Sequence, residues 1–221
     1  MKITVKGILF DMDGVLVSSI GSVERSWAKW SALHGLDPEE TVKRAHGRRS
    51  IDSVRAIRPD LDAEAENQKI EDWEVEDIEG VEAVAGVCNF IRHLPPGSWT
   101  IVTSATRRLA EVRLSAAGIT PPARWITSDV VINGKPDPEP YRKGVELLGL
   151  APQDCLVIED AESGATAGKV AGCRVLGTTF SHSIEALEAA DWIVDSLEHV
   201  SVTVLPENRG LELEFEPLSR S

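Results

Sequence analysis

The chain has 221 residues, of which 42% are hydrophobic and 27% charged, and its formal net charge is −13 at pH 7. This length suffices for a full hydrophobic core with an inserted unit, and no apolar run approaches membrane length, so we expect a soluble protein without a signal peptide. The acidic charge argues against nucleic acid or an anionic membrane surface as a partner.

The first predicted element is an apolar strand that begins at Ile3, ends at Phe10 and is followed directly by Asp11 and Asp13. In an open α/β sheet, ligands gather beyond the carboxyl ends of the strands. Alternation in an extended segment places both carboxylates on one side, where they could hold a divalent cation or share nucleophilic and acid–base work. A simple Asp/Gly turn explains the pattern about as well, whereas the position of Gly14 does not fit a calcium loop.

Residues 18–82 predict a helical unit inserted after this strand. A helix over residues 20–33 has apolar side chains at helical spacing, and Gly35 ends it. From there to residue 82 the periodicity stays helix-like, and no buried parallel strand is recognisable. We therefore predict two units, one formed by residues 1–17 and 83–221 and the other by residues 18–82.

From Val84 onward the pattern alternates between helix and strand, which is typical of a parallel sheet with right-handed crossovers. The predicted helices cover residues 84–94, 107–117, 140–148, 164–171 and 184–190. The predicted strands cover residues 99–103, 125–127, 155–158, 174–176 and 192–194, with a C-terminal hairpin formed by 202–205 and 211–215. The predicted fold class is α/β, with a Rossmann-like parallel sheet as its core.

The three cysteines, Cys88, Cys155 and Cys173, lie in apolar helix or strand patterns. Their number is odd, and their spacing is not that of metal ligands. We interpret them as reduced core thiols, which predicts a cytoplasmic protein.

Three later segments add polar residues at the ends of predicted strands. Thr103-Ser104-Ala105 leads into a helix whose free N–H groups can receive a phosphate oxygen, although a plain helix cap is an equally simple explanation. Lys135 lies in a proline-framed loop, where it is either a fixed positive charge or merely solvated. Glu159-Asp160 follows the strand at 155–158. With Asp11 and Asp13, four successive strand ends carry polar groups that packing alone does not explain.

These segments, in this order and spacing, resemble the four motifs of the haloacid dehalogenase superfamily, and the helical insert resembles its cap domain. The cap loop at residues 45–52, the segments beginning at Thr103 and Gly134, and the hairpin resemble phosphatases of glycerol 3-phosphate and 2-deoxyglucose 6-phosphate. The resemblance implies a magnesium-dependent phosphatase that hydrolyses small sugar or polyol phosphate esters through an aspartyl-phosphate. We expect a monomer.

The resemblance also implies roles for the acidic residues. Asp11 would be the nucleophile, and Asp13 would protonate the departing alkoxide and then activate water. Mg²⁺ would be held by an oxygen of Asp11, the main-chain carbonyl of Asp13 and Asp160. Glu159 would lie close by or bind the ion through water.

The remaining roles concern the phosphate and the rest of the substrate. Ser104 and the Ala105 amide would bind the phosphoryl oxygens, with Thr103 as the alternative in the strand-end register. Lys135 would hold Asp11 ionised and bind the phosphate. The rest of the substrate would contact three residues of the cap loop, His46, Gly47 and Arg48.

Three other functions remain open from the sequence. A sugar phosphomutase resembling β-phosphoglucomutase would use a cap-loop arginine and a histidine early in the first cap helix, where this chain has Ser50 and Val23. A dehalogenase would have no use for the acid Asp13, because a halide leaves without a proton. A binding protein without turnover would not need all four motifs. The substrate itself is not determined by this resemblance.

Overall fold

The computed structural model describes residues 1–206 and 209–219. Its helices are α1 (Ile20–His34), α2 (Pro38–Ala45), α3 (Ser50–Ile57), α4 (Ala63–Glu76), α5 (Val87–Arg92), α6 (Arg107–Ala116), α7 (Glu139–Leu148) and α8 (Glu162–Val170). Its strands are β1 (Lys2–Val5), β2 (Gly7–Phe10), β3 (Val17–Ser18), β4 (Glu82–Ala83), β5 (Trp99–Ile101), β6 (Cys155–Glu159), β7 (Arg174–Thr178), β8 (Trp192–Val194), β9 (Ser201–Leu205) and β10 (Gly210–Glu214). No helix in these ranges is long and apolar enough to cross a membrane.

The central sheet has the strand order β5-β2-β6-β7-β8, and every neighbouring pair is parallel. Strands β2 and β6 are buried along their whole length, as expected where helices cover both faces of a parallel sheet. The predicted α/β fold with a parallel core is therefore confirmed. Strand β2 has β5 as its neighbour on one side and β6 on the other, so the strand order reverses direction at β2. In such sheets a ligand crevice lies at the carboxyl end of the strand where the order reverses.

The opening strand differs from its prediction, because it is divided into two strands in two sheets. In β1 buried and exposed residues alternate, and this strand pairs antiparallel with β10. The four residues of β2 are all buried and join the central sheet. The predicted hairpin is confirmed as β9 and β10, which pair antiparallel and complete the smaller sheet β1-β10-β9. Residues 207 and 208 of its turn lie outside the described residues.

Two predicted elements of the core are wrong. The strand expected at residues 125–127 is a single parallel bridge between Val102 and Ile126, because a 3-10 turn at Ser128–Val130 follows at once. The helix expected at residues 184–190 is only a 3-10 turn, Glu185–Leu187. There the Asp191 amide already bonds the carbonyl of Val175, so the chain must turn back toward the sheet too soon for a longer helix.

Helices α1 to α4 form the inserted unit, hereafter called the cap. They lie between β3 and β4, which pair antiparallel and join the cap to the core. Gly35 ends α1 in the left-handed conformation, with φ of 65°, as predicted. The cap has a small apolar core of its own, in which the rings of Trp27 and Trp30 pack edge to face at 5.4 Å. This arrangement supports residues 18–82 as the proposed extent of the cap.

The cysteines only partly follow their prediction. Cys155 and Cys173 are buried, whereas Cys88 is exposed. Helix α5 buries Val87 and Phe90, which share one face at a spacing of three residues. Cys88 therefore lies on the opposite, solvent-facing side of this short helix.

Candidate active site

The predicted site residues meet at the carboxyl ends of β2, β5 and β6. One cavity between core and cap is lined by eight of them, namely Asp11, Asp13, His46, Gly47, Arg48, Ser104, Ala105 and Asp160. Lys135 and Glu159 lie behind Asp11 in the buried interior. Thr103 is also buried and does not line this cavity.

A buried lysine connects two of the carboxylates. Lys135 Nζ donates hydrogen bonds to Asp11 Oδ1 at 2.5 Å and to Glu159 Oε1 at 2.6 Å. The hydroxyl of Tyr141 donates to the same Glu159 oxygen at 2.6 Å. The other oxygen of Glu159 accepts from the amides of Asp160 and Ala161. These bonds engage both oxygens of Glu159, one of them with Lys135.

The carboxylates outnumber the positive charge around them. Oxygen atoms of Asp11, Glu159 and Asp160 all lie within 4.8 Å of one another. Burial raises the pKa of Asp11 to about 7, although Lys135 opposes this shift. Burial and the neighbouring Glu159 and Asp11 raise the pKa of Asp160 well above its usual range. A buried group of oxygen ligands with excess negative charge suits a hard divalent cation, so these residues fit a divalent-metal site.

Two glycines make room for these carboxylates. Gly14 has φ of +79°, and a Cβ atom there would lie 1.8 Å from Asp160 Oδ2. A Cβ atom at Gly164 would lie 1.7 Å from Glu159 Oε1. Any side chain at either position would displace an acidic group, which explains the glycine in the Asp-x-Asp-Gly segment.

Asp13 lies on the cap side of Asp11. Its Oδ1 accepts from Ser19 Oγ at 2.5 Å and from Arg113 Nη1 at 2.9 Å. Arg113 is buried in α6, and its Nη2 lies 3.5 Å from Glu74 Oε2 of the cap helix α4. Burial raises the pKa of Glu74 to about 7, with Arg113 acting in the opposite direction.

Sequence reasoning missed Ser19, Glu74, Arg113 and Tyr141. Each lies inside or beside a helix, where a polar residue gives no local sign that it reaches a site. An arginine among the apolar residues of α6 was the only available signal, because a buried arginine needs an acidic partner.

The segment after β5 presents one hydroxyl to the cavity and turns the other away. Thr103 Oγ1 accepts from the Ala105 amide at 3.0 Å. Ser104 lines the cavity, and its Oγ donates to the carbonyl of Gly47 in the cap at 3.2 Å. Thr106 caps α6 by accepting from the Leu109 amide. Ser104 is therefore the hydroxyl in reach of a cavity ligand.

The cap loop between α2 and α3 rests on the core. The carbonyl of Gly47 accepts from Ser104 Oγ and from Ser163 Oγ, the latter at 3.0 Å. Gly47 has φ of +70°, and a Cβ atom there would lie 2.7 Å from the Ala161 side chain. Arg48 is exposed at the cavity rim. The next residue, Arg49, donates to the Val131 carbonyl of the core at 3.2 Å.

His46 is half-buried where the cap meets the core. Its ring packs edge to face against His182, with 4.9 Å between the ring centroids. Burial, and then the neighbouring His182, lowers the pKa of His46. His182 lies in the loop after β7, and sequence reasoning did not identify it.

Comparison with known proteins agrees with this geometry. A family model described as haloacid dehalogenase-like hydrolase matches residues 5–172. Hexitol phosphatase A of Escherichia coli (strain K12) is 40% identical over 206 residues, covering 91% of this chain and 95% of that protein. 2-Deoxyglucose-6-phosphate phosphatase 2 of Saccharomyces cerevisiae is 34% identical over 240 residues, covering 96% of each. Glycerol-1-phosphate phosphohydrolase 2 of the same yeast is 33% identical over 217 residues, covering 91% and 86%.

Solved structures share the fold at lower sequence identity. A hydrolase from Pseudomonas syringae superimposes with a TM-score of 0.79 at 23% identity, covering 87% of this chain and 94% of that one. The β-phosphoglucomutase from Clostridium difficile gives 0.76 at 21% identity, covering 88% and 92%. At these identities the likeness concerns the fold alone.

Proposed function

Because this chain belongs to the haloacid dehalogenase-like hydrolases and is a phosphoric monoester hydrolase, we propose that it dephosphorylates small sugar or polyol phosphates through an aspartyl-phosphate on Asp11. The observation that carries the proposal is the placement of Asp11 and Asp13 on one cavity wall, with Lys135 bonded to Asp11. This arrangement supplies a nucleophile, a proton donor and a positive charge within one enclosed space.

In the first half-reaction, an Asp11 carboxylate oxygen attacks phosphorus opposite the leaving group. The bond between phosphorus and the alkoxide oxygen breaks, and Asp13 gives its proton to that oxygen. In the second half-reaction, Asp13 removes a proton from water as the water oxygen attacks phosphorus. The bond between phosphorus and Asp11 then breaks, which releases phosphate and restores both carboxyl groups.

Positive charge is needed because a phosphate dianion repels a carboxylate nucleophile. Lys135 contributes one charge, and Ser104 would donate a hydrogen bond to a phosphoryl oxygen. The Ala105 amide, which already donates to Thr103 Oγ1, would have to exchange that bond to take part. Mg²⁺ would be held by Asp11, the Asp13 carbonyl and Asp160, and when bound it neutralises charge on the phosphoryl group. Glu159 would act by positioning Lys135, since its oxygens already have partners.

The polar groups of the cavity wall also suit a leaving group that carries several hydroxyls. Beyond Asp13 its wall contains Ser19, Arg113 and Glu74, which together offer hydrogen-bond donors and acceptors beside the departing oxygen. Arg113 Nε and Nη2 have no hydrogen-bond partner among the described residues. These nitrogens are closed off from the cavity, so the groups that a sugar or polyol hydroxyl would meet are the carboxylates beside Arg113 and the hydroxyl of Ser19. The relatives named above act on hexitol, glycerol and deoxyglucose phosphates, which agrees with this chemistry.

A phosphomutase remains the less supported alternative. Val23 lines the cavity on the cap side, where the mutase resemblance would require a histidine. The apolar side chain of valine can neither accept nor donate a proton at that position.

Acid-quenched reactions with ³²P-labelled sugar phosphates test the covalent step. Wild type with Mg²⁺ should retain label on the protein and release phosphate, and a chelator should abolish both. Asp11→Asn should neither retain label nor release phosphate, while keeping the wild-type circular dichroism spectrum. Turnover by Asp11→Asn above a trace would contradict the proposed nucleophile.

A further inference from the structure

A second group of metal-type ligands lies beside the acidic one. Ligand atoms of His46, Asp160 and His182 all lie within 4.8 Å of one another. His46 comes from the cap loop, Asp160 follows β6, and His182 follows β7. Three segments that are distant in the chain thus bring two imidazoles and one buried carboxylate together at the border between cap and core.

The chemistry of this group differs from that of the acidic site. Mg²⁺ prefers an octahedral set of oxygen ligands, whereas imidazole combined with carboxylate is a typical ligand set for Zn²⁺. Zn–N bonds of about 2.0–2.1 Å place tetrahedral ligands roughly 3.3–3.6 Å apart. Because the ligand atoms already lie within 4.8 Å of one another, a contraction of at most roughly 1.2–1.5 Å is needed, and both histidines lie in loops that can supply it.

Ser181 prepares these side chains for a metal ion. Its hydroxyl donates to Asp160 Oδ2, and its oxygen lies 2.7 Å from His182 Nδ1. Because the hydroxyl hydrogen goes to Asp160, Ser181 accepts the Nδ1–H of His182. In this tautomer the lone pair of the His182 ring is on Nε2, which is therefore the nitrogen that would coordinate a metal ion. Such bonds to the outer side of metal ligands set the tautomer and orientation of a coordinating histidine.

We propose that His46, Asp160 and His182 form a second metal site, selective for Zn²⁺ and related transition ions, that fastens the cap to the core. An ion bound there would hold the cap loop against the segments after β6 and β7. It would also occupy Asp160, so it would inhibit turnover. This inhibition rests on the proposed function, in which Asp160 is a magnesium ligand, whereas binding of the ion itself does not.

His182→Asn tests the site, because His182 has no role in the proposed catalysis. Zn²⁺ binding would be measured by competition with a chromophoric chelator in a large excess of Mg²⁺. Wild type should bind one more Zn²⁺ than the variant, or bind it at least tenfold more tightly, since even a residue behind the ligands typically contributes ten- to a hundredfold. His199→Asn, which alters an exposed histidine of the core, should match wild type.

Activity provides a separate readout. Low micromolar Zn²⁺ should inhibit wild type and His199→Asn at saturating Mg²⁺, whereas His182→Asn should keep its basal activity and resist inhibition by tenfold or more. Ser181→Ala, which leaves all three ligands in place, should weaken Zn²⁺ binding to a smaller extent and serves as a second variant if His182→Asn misfolds.

The outcomes separate the two proposals. Equal Zn²⁺ affinity and stoichiometry in wild type and His182→Asn would overturn the second metal site, even in an active phosphatase. Zn²⁺ binding that depends on His182, in a protein that releases no phosphate from any ester, would keep the metal site and reject the proposed function.

Discussion

The carboxylate of Asp13 lies where the core and the cap meet, in surroundings unlike those of Asp11. Its side chain keeps 29% exposure, against 9% for Asp11. Its bonded partners are Ser19 and Arg113, whereas Asp11 is bonded to Lys135. A partly open acid suits proton exchange with a leaving group and with water, and a buried carboxylate suits attack on phosphorus.

Asp13→Asn should therefore affect substrates according to their leaving groups. We expect kcat for a sugar or polyol phosphate to fall by about 10²- to 10⁴-fold, the usual contribution of general acid–base catalysis. The first step with p-nitrophenyl phosphate should fall far less, because a nitrophenolate leaves without a proton. Burst kinetics on both esters measure this step, and equal losses would remove Asp13 from the acid role.

Glu74→Gln tests the part of the cavity wall beyond Asp13, which would face the leaving group. Glu74 is buried at the cavity, while Glu76 on the same helix is exposed and offers a matched control. Loss of the carboxylate should lower kcat/KM for a polyol phosphate by about tenfold, the effect of one hydrogen bond of ~1.4 kcal/mol. The value for p-nitrophenyl phosphate should stay within about threefold of wild type. A similar loss in Glu76→Gln, or on both substrates, would show that Glu74 does not contact the leaving group.

At the scale of the elements, one buried carboxylate joins two helices of the cap. Glu66 in α4 accepts from Lys69 Nζ at 2.6 Å, from Trp30 Nε1 at 2.9 Å and is 3.0 Å from His34 Nε2. Trp30 and His34 belong to α1, so these bonds connect the helix that begins the cap to the one that ends it. The bonds, led by that of Lys69, lower the pKa of Glu66 to about 2.

This shift makes the stability of the cap depend on pH. Because the folded-state pKa lies below the unfolded value, the stabilisation is complete above about pH 4.5 and is lost as the pH falls through about 2. Glu66→Gln should lower the free energy of unfolding by about 1–3 kcal/mol at pH 7 and by clearly less at pH 3, measured in urea. Glu64→Gln, on an exposed side chain of the same helix, should change it by less than about 1 kcal/mol at both pH values.

At the scale of the molecule, the cap is closed over the core through polar contacts. Thr106 Oγ1 donates to Glu71 Oε1 at 2.8 Å, and Arg108 Nη1 donates to Asp72 Oδ1 at 2.6 Å. On the opposite side the Gly47 carbonyl accepts from two core serines. The exposed Arg108–Asp72 contact can exchange with water, whereas opening the cap would also have to separate the buried Arg113–Glu74 pair between α6 and α4.

Closure should be driven by contacts with the substrate beyond its phosphate. Arg48→Ala should lower kcat/KM for a preferred sugar or polyol phosphate by about ten- to a hundredfold, as expected for one charge-assisted hydrogen bond of ~1.5 to 3 kcal/mol. Turnover of a small aryl ester should change little. Arg55→Ala, an exposed arginine on α3, is the matched control and should resemble wild type. Equal losses on both esters would place Arg48 at the phosphoryl group or in the fold.

Much of the site could be predicted because its residues follow strand ends. Asp11, Ser104 and Asp160 come directly after, or within three residues of, apolar strands of one parallel sheet, whose carboxyl ends share an edge. Parallel pairing of these strands therefore brings the three residues together irrespective of the conformation of the connecting loops. The glycine of the Asp-x-Asp-Gly segment belongs to the same local pattern, since Asp160 fills the space that a side chain would need.

Other features depended on contacts that no local pattern records. Arg113 meets Asp13 across a hundred residues of chain, and His182 meets His46 only because the cap folds onto the core. The division of the opening strand between two sheets likewise depended on β10, its distant antiparallel partner. By itself the sequence determined the periodicities, the strand ends and thus the parallel core with its acidic centre. Which helix-borne side chains complete the cavity was decided by tertiary packing, because packing selects one face of each helix after the helices have formed.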